Sequence, residues 1–177
     1  DFDDFEGGYA PQAPTYEEKD YTLVFCRRIN EESGKKQLLL GMKKRGFGQG
    51  KWNGFGGKLE EGETIHQCAI REMIEESGVT CNDVVRVGYL VFKLLDVHKM
   101  MRVHVFESTQ FSGEPTESDE MRPQWYDEDS LPFQKMWPDD AHWMPYFLSG
   151  KSFIGRFVYE DEDTIEDFDI RENKFGV

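Results

Sequence analysis

Apolar and polar positions alternate along several stretches of the chain, and each alternation predicts a strand. "YTLVFCRR" (21–28) and "QLLLGM" (37–42) flank a polar turn carrying Gly34, which predicts a hairpin over 21–42. "VVRVGYLVFKLL" (84–95) and "MRVHVFES" (101–108) predict two more strands. "FIGRFVYED" (153–161) and "TIEDFDIRE" (164–172) predict a final pair, and a short strand is expected near Gln124–Tyr126. The period changes in "ETIHQCAIREMIEES" (63–77), where apolar residues recur at helical spacing and Gly78 supplies a stop. "DDAHWMPYFLSG" (139–150) predicts a short helix in which Pro145 falls near the start or kinks it. The stretch "KKRGFGQGKWNGFGG" (43–57) carries six glycines and predicts a loop or bulged strand that lets backbone approach a partner closely. Many strands with two helices and no internal repeat predict an α/β sandwich, α+β by another scheme, around a mixed sheet.

Length places this pattern in one domain. The chain has 177 residues, enough to bury a sizeable core. Residues 1–18 mix Gly, Pro, Tyr and acids without a period and read as a mobile acidic arm, leaving 19–177 as the folded unit. That arm has neither the basic start and apolar core of a secretory leader nor the Arg-rich character of an organelle presequence. No apolar run reaches the roughly 18 residues of a membrane span. Three scattered cysteines without CxxC spacing suit a reducing compartment and no structural zinc. The expected location is the cytoplasm, with the nucleus and mitochondrion also compatible, and a monomer is the default state.

Charge narrows the partners. A net charge of −14 repels nucleic acid polymers, and it also repels a small polyphosphate unless cations reverse the field locally. Such a reversal is present in sequence: Lys43, Lys44, Arg45, Lys51 and Lys58 crowd the glycine-rich stretch. Directly after it, Glu72, Glu75 and Glu76 fall at i, i+3 and i+4, which puts three carboxylates on one helical face. Like charges so placed weaken an isolated helix, and a solvated acidic face is the bland reading. With Gly56-Gly57 before the helix and Glu63 at its start, the oxygen groups suit a hard cation, Mg²⁺ or Mn²⁺ in its place. Metal and lysines together make a site for a small-molecule nucleotide or other polyphosphate.

The stretch "GKLEEGETIHQCAIREMIEESGV" (57–79) resembles the signature of the Nudix hydrolases at every fixed position: Gly57, Glu63, Arg71-Glu72, Met73, Glu75-Glu76, Gly78 and Val79. The resemblance implies an α/β/α sandwich and metal-dependent hydrolysis of a nucleoside diphosphate linked to another group. It implies that Glu72, Glu75 and Glu76 bind the metal, joined by the Gly56 carbonyl and Glu120. It also implies that Arg71 pairs with Glu63 to hold the loop against the helix.

The flanks resemble the branch of that family acting on oxidised purine nucleoside triphosphates such as 8-oxo-dGTP and 2-hydroxy-dATP. The stretches that carry this are "LLLGMKKRGFGQGKWNGFGGK" (38–58), "ESDEMRPQW" (117–125) and "FQKMWPDDAHW" (133–143), with "VHVF" (103–106) and "DTI" (163–165) in support. The implied products are the monophosphate and pyrophosphate, and the implied role is to keep damaged precursors from polymerases. Thr22, Lys43, Asn53, Phe55, Gly56, Gly57 and Lys58 would then contact substrate. Trp137, Pro138, Asp139 and Asp140 would hold the base, and Phe92, Met101 and Trp143 would line its pocket. Leu94 and Tyr159 stand where the resemblance implies phenylalanine, so one aromatic wall is lost and a hydroxyl is gained.

Adjacent Asp139 and Asp140 resist ionising together, and burial pushes the same way. A protonated Asp donates a hydrogen bond and an ionised one accepts, so one shared proton lets the pair meet either pattern on a purine edge. Other substrates of such a site are methylated purine triphosphates and dinucleoside polyphosphates. A silent binding module with the same fold is a reading of another class, and the intact glutamate set speaks against it.

Overall fold

The computed structural model describes residues 13–174. Most of the expected arm, residues 1–12, lies outside that range. Glu17 and Glu18, placed in the arm from sequence, already belong to the first strand, β1 (Glu17–Ile29).

The β1 strand carries the architecture, because its two halves have different partners. From Glu17 to Cys26 it runs parallel to β6 (Lys99–Ser108), and only Arg27–Ile29 pairs antiparallel with β2 (Lys36–Lys43). The expected hairpin is therefore confined to its turn end. Beyond it β2 leaves β1 and pairs along its length with β8 (Met121–Asp127), which is longer than the short strand expected near Gln124. The glycine-rich stretch fills the wedge between the diverging strands. Val24 and Phe55 exchange backbone bonds of 2.6 and 3.0 Å, and Thr22 N–H donates to the Gly57 carbonyl at 3.0 Å. These bonds satisfy β1 amides and carbonyls that β2 has abandoned, as buried backbone requires.

The remaining strands extend the sheet on the other side of β1. They are β5 (Val85–Leu94), β9 (Phe153–Asp161) and β10 (Thr164–Glu172). With the two-residue β3 (Trp52–Asn53), the mixed sheet runs β10-β9-β5-β6-β1-β2-β3, and β8 sits on β2. A separate two-stranded pair, β4 (Thr80–Cys81) with β7 (Phe111–Ser112), was not foreseen.

Alternation along the strands sends side chains to two faces, each covered by one helix. Val24, Cys26, Leu39 and Phe106 pack with Ala69 and Met73 of α1 (Ile65–Ser77). Phe25, Leu38, Leu40 and Val105 pack with Trp143, Met144 and Phe147 of α2 (Asp140–Leu148). Two apolar faces and two helices give the α/β/α sandwich. Among the described residues no helix is long and apolar enough to cross a membrane.

Local chemistry sets the ends of α1. The sequence pattern started it at Glu63, but Thr64 is the cap: its hydroxyl accepts from Gln67 N–H, and the Gln67 side chain accepts from Thr64 N–H. Glu63 stays outside the helix, free to turn toward Arg71. Gly78 ends the helix at φ 75°, a left-handed conformation suited to glycine. In α2, Pro145 lies inside the helix and removes the amide that would bond back toward Ala141.

Candidate active site

The site begins where α1 meets the glycine stretch. Gly56 crosses β1 so closely that a Cβ there would overlap the Thr22 carbonyl, and a Cβ on Gly57 would overlap the Glu72 carboxylate. Two glycines without side chains therefore bring backbone, β1 and the first carboxylate of α1 together. Thr22 is buried at the crossing, with its hydroxyl 3.6 Å from Cys68 Sγ and 3.5 Å from Gly57 N.

Arg71 organises the carboxylates. Its Nε and Nη2 donate to the two oxygens of Glu63 at 2.9 and 2.7 Å, and Nη1 donates to Glu72 at 2.8 Å and Glu75 at 3.2 Å. The Arg71 fork holds the Glu63 carboxyl down at about 2. Glu72 is pulled both ways: burial raises its pKa and Arg71 lowers it, with a net rise. Glu76 is buried, and burial pushes its carboxyl up to about 8, although Lys43 pulls it down. Glu120 is held low by Arg45 and Lys43, whose nitrogens lie 3.2 and 3.3 Å from its oxygens.

Lys43, Gly56, Gly57, Lys58, Glu72, Glu75, Glu76 and Glu120 line one cavity of about 360 Å³. The residues expected to hold a cation are thus brought together. Among the described residues no three carboxylates converge on a single point, because Arg71 draws Glu72 and Glu75 to itself. The set nevertheless fits a hard divalent ion: all its donors are oxygens, and Glu76 is a buried acid whose ionisation calls for a cation beside it.

A second cavity, of about 430 Å³, shares Lys43, Gly56, Gly57, Lys58 and Glu76 with the first and leads away from α1. Thr22, Asn53, Phe92, Met101, Trp137, Asp139 and Asp140, which the family resemblance assigns to the substrate, line it. Leu94 and Tyr159 line it as well. Asn53 turns its carbonyl oxygen to Gly54 N–H at 2.8 Å, a turn role that leaves its amide group for other use.

Three expected pocket residues stand back from this cavity. Phe55 has no exposed surface and packs in the α1-side core, so it acts on the site through its backbone bonds to Val24. Trp143 is fully buried in the α2-side core, stacked 5.3 Å from Phe153, and reaches the pocket only through its Nε1, which donates to Asp139 Oδ2 at 2.8 Å. Pro138 is half-buried and does not line the cavity. In its place the sequence reading missed Phe47 and Gly48. Phe47 lies 5.0 Å from Trp137, and Gly48 at φ 78° packs against the Trp137 ring, where a Cβ would meet it at 2.9 Å. Lys51, known from the basic cluster, sits 5.1 Å over the same ring and bonds Asp163 at 2.7 Å.

The far end of the cavity holds the aspartate pair. Asp139 and Asp140 are 4% and 2% exposed, an environment in which carboxylates stay charged only with strong partners. Burial raises both, and the neighbouring Asp139 charge pushes Asp140 well above the usual carboxylate range. Tyr159 Oη bonds Asp139 Oδ1 and accepts from Asp139 N–H at 3.0 Å. Asp140 Oδ2 is buried without a hydrogen-bond partner.

Residues 22–147 match the NUDIX domain profile. The chain is 50% identical over 152 residues to the mouse oxidized purine nucleoside triphosphate hydrolase, covering 86% of this chain and 94% of that protein. It is 50% identical over 136 residues to the zebrafish (Danio rerio) oxidized purine nucleoside triphosphate hydrolase, covering 77% and 87%. Its fold superimposes on the crystal structure of a mutator MutT protein from Bacillus halodurans with a TM-score of 0.73 at 25% identity, covering 86% of this chain and 97% of that one.

Proposed function

The chain belongs to the NUDIX family, and from that premise we propose that it hydrolyses oxidised purine nucleoside triphosphates, 8-oxo-dGTP and 2-hydroxy-dATP among them, to the monophosphate and pyrophosphate. The observation that carries this reading is the shared wall of the two cavities: Lys43, Gly56, Gly57, Lys58 and Glu76 border both the carboxylate end and the aspartate end. A nucleotide laid across that wall has its phosphates at α1 and its base at Trp137, Asp139 and Asp140. Half identity to mouse and zebrafish proteins named for this activity supports the same substrate class.

Each end has its own task. Lys43 and Lys58 offset phosphate charge, and the glycine backbone lets the chain approach without a side chain between. Glu72, Glu75, Glu76, Glu120 and the Gly56 carbonyl are the groups to hold a divalent cation, Mg²⁺ by preference with Mn²⁺ as a substitute. When bound there, the cation neutralises the polyphosphate and acidifies the attacking water. A carboxylate of the same helix takes the proton of that water. Trp137 offers a face for stacking and Asn53 a polar edge. Asp139 and Asp140, too close and too buried to ionise together, share a proton and read the purine edge.

The biological reading is a monomeric sanitiser of the nucleotide pool, in the cytoplasm and compatible with the nucleus or mitochondrion, with no polymer partner and no membrane. A competition assay with Mg²⁺ over 8-oxo-dGTP, 2-hydroxy-dATP, O6-methyl-dGTP, dGTP and a dinucleoside polyphosphate tests it. The oxidised purines should give the highest kcat/KM. Undamaged dGTP in first place would end the sanitising reading.

A further inference from the structure

Tyr159 supplies a hydroxyl where the base pocket needs only an aromatic wall, and that hydroxyl has a defined job in the hydrogen-bond network. A backbone N–H can only donate, so the Asp139 amide gives its proton to Tyr159 Oη at 3.0 Å. The phenol's own proton then goes to Asp139 Oδ1. The other oxygen, Oδ2, receives the indole N–H of Trp143 at 2.8 Å, and an indole N–H is likewise donor only. Both oxygens of Asp139 thus face donors fixed by the fold. A proton on either would lie against an O–H or N–H already aimed at it.

Asp140 is held less tightly: Asp139 and Trp143 bear on its carboxyl, but its Oδ2 is buried without a partner in a residue that lines the cavity, which is the position of a group left to meet a ligand. Lys51 is the cation acting on it, and that lysine is itself bonded to Asp163 at 2.7 Å. Asp139 and Tyr159 are its other ionisable neighbours, and His142 of the same helix faces elsewhere, 4.2 Å from Phe168. We propose that Tyr159 is a specificity-determining positioning residue: its hydroxyl keeps Asp139 a hydrogen-bond acceptor, assigns the pair's shared proton to Asp140, and so fixes which purine edge the pocket prefers. The inference rests on the reading of this cavity as a purine pocket.

Chemistry turns that assignment into a preference. An oxidised guanine has an acceptor at position 6 and an amino donor at position 2. A 2-hydroxyadenine, in its keto form, has the reverse: an amino donor at 6 and an acceptor at 2. A pair free to move its proton serves both orders. A pair with Asp139 fixed as acceptor and Asp140 as donor matches one order and faces the other with donor against donor, leaving buried groups unmet.

The test measures kcat/KM for 8-oxo-dGTP and 2-hydroxy-dATP in the wild type, Tyr159→Phe, Asp139→Asn and Asp140→Asn. The two nucleotides should differ by roughly tenfold or more in the wild type, and Tyr159→Phe should bring the ratio about tenfold closer to unity. A residue that only supports the fold would lower both values together and leave the ratio alone. Both asparagine variants should lose activity on the preferred base, and Asp139→Asn, which loses the acceptor, should lose roughly tenfold more than Asp140→Asn, which keeps a neutral donor. A ratio unmoved by Tyr159→Phe overturns the proposal. Should that variant melt at the assay temperature, the asparagine variants decide, and equal losses from the two overturn it. A wild type that turns over neither nucleotide points instead to failure of the substrate reading itself.

Discussion

Arg71 donates to both carboxylate oxygens of Glu63, and the same guanidinium reaches Glu72 and the Lys58 carbonyl. One side chain therefore ties the end of the glycine stretch, the start of α1 and the Glu72 carboxylate into a single unit. A lysine in its place carries the charge but cannot span two oxygens in a plane. Arg71→Lys should leave the fold in place and lower kcat by roughly 10²-fold, the scale of a small misplacement of reacting groups. Steady-state kinetics with a thermal melt checks this; unchanged kcat would show that Arg71 only balances charge.

Gly56 and Gly57 stand side by side but carry different constraints. A methyl on Gly56 meets backbone, the Thr22 carbonyl, which cannot move without unzipping the stretch from β1. A methyl on Gly57 meets the end of the Glu72 side chain, which can swing away. Gly56→Ala should therefore act on stability, lowering it by about 1–3 kcal/mol in urea unfolding. Gly57→Ala should fold nearly as well as the wild type and lose kcat, since the displaced group is Glu72, a carboxylate proposed to hold the cation. Reversal of that order would mean the stretch is looser than its contacts require.

The carboxylate end of this site was legible because its information is local. Glu63, Arg71, Glu72, Glu75 and Glu76 lie within a few helical turns, and their spacing alone puts them together. The boundaries of β5, β6, β9 and β10 were close for the same reason. What sequence did not reveal depends on distant partners. The β1–β2 hairpin reads as one continuous pairing, yet the wedge between the strands is filled by residues 55–57, and only the sheet shows it. Trp143 and Trp137 look alike in a sequence of aromatic and acidic residues. The helical turn between Asp139 and Trp143 sends one indole into the core and leaves the other on the cavity. Tyr159 could be flagged as a departure, but its partner lies 20 residues away on another element, beyond the reach of any periodicity.

Asp20 gives a pH dependence outside the lining of the two cavities. It sits on β1 opposite β6, with Arg102 donating at 3.1 and 2.8 Å and His104 Nε2 at 3.0 Å. The Arg102 bond and, after burial is offset, His104 hold its carboxyl at about 2 against an ordinary 3.8. The folded pKa is depressed, so the stabilisation is present above the unfolded value and fades as pH falls toward about 2. Asp20→Asn should lower Tm at neutral pH, and the gap from the wild type should close through that acid window. A gap that stayed constant down to the acid limit would show that packing, not charge, accounts for the loss.

Glu76 is the strongest test of the catalytic assignment, because its position has no structural purpose that a neutral isostere would not serve. It is buried on α1, borders both cavities, and ionises only against the resistance of its surroundings, its carboxyl pushed up to about 8 by burial. A fold selected for stability alone would place an apolar residue or an amide there, since a carboxyl that must ionise in a buried position is unfavourable. Glu76→Gln fills the same volume and removes only the capacity for charge. Stability should hold or rise, measured by urea unfolding with a chelator present. Turnover with Mg²⁺ should fall by about 10²–10⁴-fold, as expected when a group that handles charge or protons at the reacting water is lost. If pyrophosphate release continued within a few-fold of the wild type, the carboxylates of α1 would have to be read as a solvated acidic face, and the lysines of the glycine stretch would be left to bind phosphate without a cation.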